Sequence, residues 1–235
     1  MAAYGAIVPY WRCPLGDLPN AWGAVRLSAL AQFRVIHIAT YDGGDATEVV
    51  ALCRATPNMV LFRPADGAEI SAAYAAALAS RTRPTVLVLP RPGSPKLSGS
   101  QVELAAKGGY VIADFPEGLT HRALLVASGQ EVGPCIEAQQ MLAKDGLAVR
   151  VVSLPSWELF EEQPEEYQLS VLGGDPENPK LPQKLPVFFA ESAAPLGFER
   201  FAGTHLGASG GLADVNGDSL TADAMATRLR EALQM

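Results

Sequence analysis

Histidine and cysteine, the side chains most often recruited as metal ligands and nucleophiles, are scarce in this 235-residue chain, with three of each. Cys13, Cys53 and Cys135 lie far apart. So scattered a set makes neither a disulfide framework nor a metal knuckle, and predicts reduced, mostly buried thiols. His37, His121 and His205 stand in unrelated contexts, and no HxxxH or HxH spacing offers metal ligands. Charge is also sparse: 18% of residues are charged and the net charge is -7. That excludes the basic face needed to grip nucleic acid or an anionic membrane. No GxGxxG or Walker lysine loop offers a phosphate cradle, and no GxSxG elbow offers a nucleophilic serine. The apolar start of the chain is broken by Pro9 and Pro14 and has no basic flank. It reads as neither signal peptide nor membrane span, which leaves the cytoplasm as the expected location.

What is present is apolar: 49% of the residues are hydrophobic, ample for a buried core. The spacing predicts a helix over 17–32, from the stripe Leu18, Trp22, Val25, Leu27 and Leu30. Val35–Thr40, Met59–Phe62 and Thr85–Leu89 read as buried strands, and Glu48–Arg54 as a helix between the first two. A long Ala-rich helix opens at Asp66, with Glu69 in capping-box position, and runs to about Arg81. Helices alternating with strands argue for a parallel sheet with crossover helices. The Pro- and Gly-rich segment Pro90–Gly99 is the natural boundary, dividing the chain into 1–98 and 99–235.

The second part repeats the pattern. Ala123–Ser128, Ala148–Ser153 and Val187–Glu191 read as strands. Glu131–Lys144 and a helix from Thr221 to Leu233 flank them, and Gly173–Pro186 is an excursion. The fold class is therefore α/β, two domains each built on a mostly parallel sheet flanked by helices.

No motif by itself names a reaction. Gly43-Gly44, Gly108-Gly109, Gly173-Gly174 and Gly207–Gly211 read as turns. Asp42 and Asp45 read as a solvated turn rather than a metal site. Asp214, Asn216 and Asp218 mimic the start of a calcium loop, but Gly217 is misplaced and no Glu closes it. The five carboxylates of Glu158–Glu166 read as a solvated acidic segment, and His37, inside a strand, as a core or interface residue.

Longer stretches carry a resemblance. Gly23–Leu30 (GAVRLSAL), Thr56-Pro57-Asn58 followed by Arg63-Pro64-Ala65-Asp66, and Lys107–Val111 (KGGYV) resemble transketolase. So do Val126–Val132 (VASGQEV), Arg150–Leu172 and Gly207–Gly210, in the right order and across nearly the whole chain. The resemblance covers the pyrimidine-binding and C-terminal domains and not the diphosphate-binding domain with its Gly-Asp-Gly magnesium motif. It implies that thiamine diphosphate and magnesium would be held only if a partner subunit supplies the diphosphate site. The family's proton-relaying Glu, in an Arg-Glu-His stretch, has no counterpart here. On an ungapped alignment back from Gly23, the family's aromatic ring-packing positions fall on Pro14, Asp17 and Asn20. The family's Thr-His-Asp becomes Thr40-Tyr41-Asp42, and its substrate loop shrinks to Gly43-Gly44-Asp45. Arg91 matches the family's substrate-phosphate arginine.

Three readings follow. The chain is a degenerate transketolase-like protein, inactive alone and acting through protein association. Or it is the small subunit of a two-component transketolase that transfers a two-carbon ketol unit between sugars. Or it binds a small ligand through Arg91, Asp17, Asn20 and Tyr41. The expected partners are a second copy of the chain or a transketolase N-terminal-type subunit, with no nucleic acid and no membrane.

Overall fold

The computed structural model describes residues 7–41, 47–174, 185–192, 197, 201, 211–213 and 220–234. The first half builds a sheet from β1 (Tyr10–Pro14), β2 (Ile36–Thr40), β3 (Val60–Phe62) and β4 (Thr85–Leu89). Its order is β1-β2-β4-β3, and every pairing is parallel. α1 (Trp22–Leu30) and α2 (Thr47–Arg54) pack on one face, with Val25, Val50 and Cys53 against Ala39, Leu61 and Val86. α3 (Gly67–Ala79) packs on the other, with Ala73 and Ala77 against Ile38, Phe62 and Leu87. Because both faces of β2, β3 and β4 are covered, successive residues are buried and mostly apolar, which is why these strands read as continuous hydrophobic runs.

The second half builds a five-stranded sheet, ordered β5 (Tyr110–Ala113), β7 (Leu147–Ser153), β6 (His121–Ala127), β8 (Val187–Glu191) and β9 (Gly211–Ala213). Only the β5–β7 pairing is antiparallel. α4 (Val102–Ala105) leads into β5. α5 (Val132–Lys144) and α8 (Ala222–Leu233) cover one face, where Cys135, Leu142 and Leu229 meet Leu125 and Val149. α6 (Trp157–Glu161) and α7 (Glu165–Val171) cover the other, where Phe160 and Val171 meet Leu124 and Val126. The expected α/β class and the two mostly parallel sheets are both found.

Several local expectations are corrected. The single helix over 17–32 is instead a 3-10 helix, Leu15–Ala21, followed by α1. Pro19 within it has no amide to donate, so the tighter turn precedes the α-helix rather than extending it. β1, β5 and β9 were not legible as strands. Asp66 does cap α3, accepting from Ala68 and Glu69 N–H at 3.0 and 3.1 Å. Glu69 reaches one residue further back than a capping box, to the Ala65 N–H at 2.7 Å. Gly108 sits at φ +86, and a Cβ there would run into Ser156 O and Phe160 N. That close approach lets Ser156 N–H donate to Gly108 O at 2.9 Å, which docks the start of α6.

α3 also fastens the two halves. The Asp66 carboxylate accepts from Leu97 N–H at 3.0 Å and Ser100 Oγ at 2.8 Å, pinning the linker. Glu69 accepts from Tyr110 Oη at 2.8 Å and Ser153 Oγ at 2.6 Å in the second sheet. Burial pushes the Glu69 carboxyl up from its ordinary pKa despite these donors.

Candidate functional site

In parallel α/β sheets, ligand sites form beyond the carboxyl ends of the strands. Pro14 pairs with Thr40, and Thr40 pairs with Leu89, so β1, β2 and β4 end level with one another. Tyr41, Arg91 and the 3-10 helix therefore emerge at one edge. The Arg91 guanidinium lies 4.5 Å from the centroid of the Tyr41 ring, and its Nη2 donates to Tyr41 Oη at 2.6 Å. The 3-10 helix has a period of three, so every third residue shares a face. Leu15 and Leu18 are buried. Pro14, Asp17 and Asn20 form the opposite, exposed row. The Asp17 carboxylate adds to burial in raising the half-buried Cys13 thiol above its ordinary pKa. Five of the residues singled out in the sequence thus share one edge, and two of them touch.

The remaining candidates are placed as follows. His37 is a core residue. Trp11 Nε1 donates to its Nδ1, so Nε2 carries the proton and faces Ser28 Oγ at 3.0 Å, and Ser28 donates on to Val25 O at 2.6 Å. Burial lowers its pKa to about 4. Cys53 and Cys135 are buried, and burial pushes the Cys53 thiol up to about 12, far from a thiolate. Of the acidic segment, Glu161, Glu162, Glu165 and Glu166 are exposed, but Glu158 is not the solvated group expected. Its carboxylate accepts from Leu61 N–H at 3.2 Å and Ser156 Oγ at 3.3 Å. Asp42, Gly43, Gly44, Asp45, His205, Gly207–Gly210, Asp214, Asn216, Gly217 and Asp218 lie outside the described residues. Among the described residues, no three His, Cys, Asp or Glu side chains are grouped to hold a metal, and no helix is long and apolar enough to cross a membrane.

A second cluster escaped the sequence reading. β3 is an edge strand of the first sheet, and the second half covers its open side. Glu158 takes the Leu61 N–H, Pro155 O takes the Arg63 N–H at 2.8 Å, and Arg63 O accepts from Gly129 N–H at 2.9 Å. The Arg63 side chain follows its backbone inward. Nη1 pairs with Glu191 and reaches Ser128 Oγ at 3.2 Å, and Nη2 meets Glu131 Oε2 at 3.3 Å. Arg54, at the end of α2, meets Glu191 Oε2 at 3.0 Å and stacks 3.7 Å from the Trp157 ring centroid. All four charges are buried. For Arg63, burial opposes the charge, but Glu191 and Glu131 together outweigh it and raise its pKa. Burial wins for Arg54, whose pKa is lowered although Glu191 opposes the shift. Burial also raises the Glu131 carboxyl, against the pull of Arg63. The only available signal was that strand ends and a helix end carried charge inside apolar runs: Arg54, Arg63 and Glu191.

Two mostly parallel sheets flanked by helices, held to each other by hydrogen bonds at the edge of the first, define a two-sheet α/β protein. The profile of the transketolase pyrimidine binding domain matches residues 18–96. That of the transketolase-like TK C-terminal domain matches residues 108–229. The chain belongs to the transketolase family. It is 42% identical over 211 residues to a probable transketolase of Schizosaccharomyces pombe, covering 86% of this chain and 29% of that one. A transketolase structure from Leishmania mexicana superposes with a TM-score of 0.81 at 32% identity, covering 97% of this chain and 34% of that one. A structure described as a split gene transketolase, an inactive beta4 tetramer, shares the fold, with a TM-score of 0.75 at 24% identity. There the overlap is 99% of this chain and 78% of that one. The chain spans about a third of the length of the curated relatives it matches.

Proposed function

We propose that this chain is a transketolase-like protein with a degenerate cofactor edge, inactive alone and acting in the cytoplasm through association with other chains. The division between residues 98 and 99 separates a shortened pyrimidine-binding-like domain from a C-terminal-type domain. The observation that carries the reading is the exposed row of Pro14, Asp17 and Asn20. When bound, thiamine diphosphate supplies a carbanion that accepts and passes on a two-carbon unit. Its aminopyrimidine ring needs an apolar, preferably aromatic, surface. A pyrrolidine, a carboxylate and an amide, all in solvent, do not fit that group. What this edge does offer is Arg91, whose guanidinium Tyr41 holds in place for an anionic group.

The second reading is the small subunit of a two-component transketolase, with thiamine diphosphate and magnesium held mainly by a separate N-terminal-type chain. Arg91 and the likeness to a split-gene transketolase favour it. Titration calorimetry with thiamine diphosphate and magnesium decides between them. The first reading expects no heat of binding, with or without a chain bearing the diphosphate domain. Ketol transfer by the mixture at an ordinary transketolase rate would overturn it in favour of the second.

A further inference from the structure

The chain has two hydroxyl residues followed directly by proline, Thr56-Pro57 and Ser94-Pro95, and the fold treats them oppositely. Thr56 finishes the turn that follows α2. Its hydroxyl donates to Leu52 O at 2.8 Å and its N–H to Cys53 O at 3.1 Å, so both are spent on the helix end. Ser94 leaves a surface turn. Pro92 suits the second position of that turn, and Gly93, at φ +85, supplies the left-handed third position that a type II turn demands. Ser94 N–H closes the turn onto Arg91 O at 3.2 Å, and the Ser94 hydroxyl donates to the same carbonyl at 2.8 Å. Pro92, Gly93, Pro95 and Lys96 are exposed around it. The linker is tied down again at Leu97, whose N–H donates to Asp66.

The neighbours of Ser94 add chemistry. A residue before proline is held extended, the form in which a substrate chain lies across a kinase cleft, and proline brings no N–H that the cleft must satisfy. Arg91, at the entry of the turn, has its Cα within about 7 Å of the Ser94 Cα. It gives Nη2 to Tyr41, and a guanidinium carries five donors in all.

We propose that Ser94 is a phosphorylation site for a proline-directed protein kinase, and that the phosphate placed there occupies Arg91. Ser94 Oγ attacks the γ-phosphorus of a nucleoside triphosphate. The new O–P bond replaces the bond to the bridging β-phosphate oxygen, the nucleoside diphosphate leaves, and the hydroxyl proton passes through the kinase's base to solvent. The product puts nearly two negative charges and three acceptor oxygens beside Arg91. Tethered by the turn, it competes with a free anion at millimolar effective concentration or above. Modification therefore closes the anion edge. This inference rests on the reading that Arg91 is offered to an anionic group, and it adds the regulation of that site.

The full chain is incubated with magnesium ATP and a purified proline-directed serine/threonine kinase, and phosphorylated residues are mapped by tandem mass spectrometry. Ser94 is expected to be modified and Thr56 left alone, and Ser94→Ala should take up no phosphate. In the modified chain the Arg91 side-chain N–H resonances should shift with no anion added, and inorganic phosphate should bind there at least ~10-fold more weakly. Arg91→Ala should still be modified, but the second ionisation of its phosphoserine, followed by phosphorus NMR, should return toward the ordinary value of about 6. An unmodified Ser94, while the same kinase phosphorylates a Ser-Pro peptide to completion, overturns the proposal. So does a phosphoserine that titrates identically with and without Arg91. Failure of the unmodified chain to bind inorganic phosphate defeats the anion-edge reading instead. The Arg91 shift on modification needs no added anion, so it still decides this inference.

Discussion

The two edges of the first sheet have opposite fates. At β3 the open backbone is covered by the second half of the chain, and the charges that follow, Arg54 and Arg63, are taken inside and matched by Glu131 and Glu191. At the carboxyl ends of β1, β2 and β4, Pro14, Asp17, Asn20 and Arg91 stay in solvent, with Arg91 donating to the half-buried Tyr41. Charge buried between two sheets is intolerant of change, because removing one group leaves its partner out of water and undercompensated. Charge on a solvated edge is free to change, because water accepts whatever is put there. The exposed edge can therefore change with little cost to the fold, while the inter-sheet cluster cannot.

The largest effect should come from breaking the buried side. Glu191→Ala takes away the carboxylate that two buried cations, Arg54 and Arg63, share. The expected destabilisation is about 3–5 kcal/mol, read by urea unfolding. A loss below about 1 kcal/mol would mean that water reaches the cluster, and the contrast between the edges would collapse.

This asymmetry also explains what was legible in the sequence. Strands such as Thr85–Leu89 and Val187–Glu191 were readable because both of their faces are buried. β1 was not, because only Trp11 and Cys13 turn toward the core while Tyr10, Arg12 and Pro14 face out. The edge residues were found because the resemblance pointed to Pro14, Asp17, Asn20, Tyr41 and Arg91, and strand register then brought them together. The inter-sheet cluster was missed because its members are far apart in sequence: Arg63 and Glu191 meet only after both sheets have formed. Glu158 was misread for the same reason. Its neighbours in sequence are acidic and exposed, while its partner, the Leu61 N–H, comes from the other half.

The next effect sharpens the comparison by pH. His37 is buried on the core side of β2, and its pKa falls to about 4 from an ordinary 6.5. For a base with a depressed folded pKa, the unfolded chain binds the proton first. The stability it contributes is thus complete above about 6.5 and is lost as pH falls toward about 4. The loss is about 3 kcal/mol. Glu69, Glu131 and Glu158 act in the opposite sense, since burial raises their pKa and their contribution declines as pH rises through it. The wild type alone would blur the two. His37→Gln keeps polar atoms for Trp11 and Ser28 but does not titrate. The difference between the two stability curves should grow between pH 4 and 6.5 and be flat above it; a parallel pair of curves would mean that His37 is solvated.

The smallest effect belongs to the exposed edge, where it is the most informative about function. Tyr41→Phe removes the hydroxyl that accepts from Arg91 Nη2 and leaves the ring under the guanidinium. Both partners are solvated enough for water to replace the lost bond, so stability should change by less than about 0.5 kcal/mol. The effect should appear instead in the grip on an anion. The hydroxyl fixes one arm of a flexible arginine, and without it Arg91 must be ordered anew by whatever it binds. Weak phosphate binding, followed by the shifts of the Arg91 side-chain N–H resonances, should weaken by a few-fold in Tyr41→Phe and vanish in Arg91→Ala. A Tyr41→Phe variant that binds phosphate more tightly would show the opposite arrangement, with the hydroxyl occupying the arginine rather than presenting it. The edge would then be closed to anions.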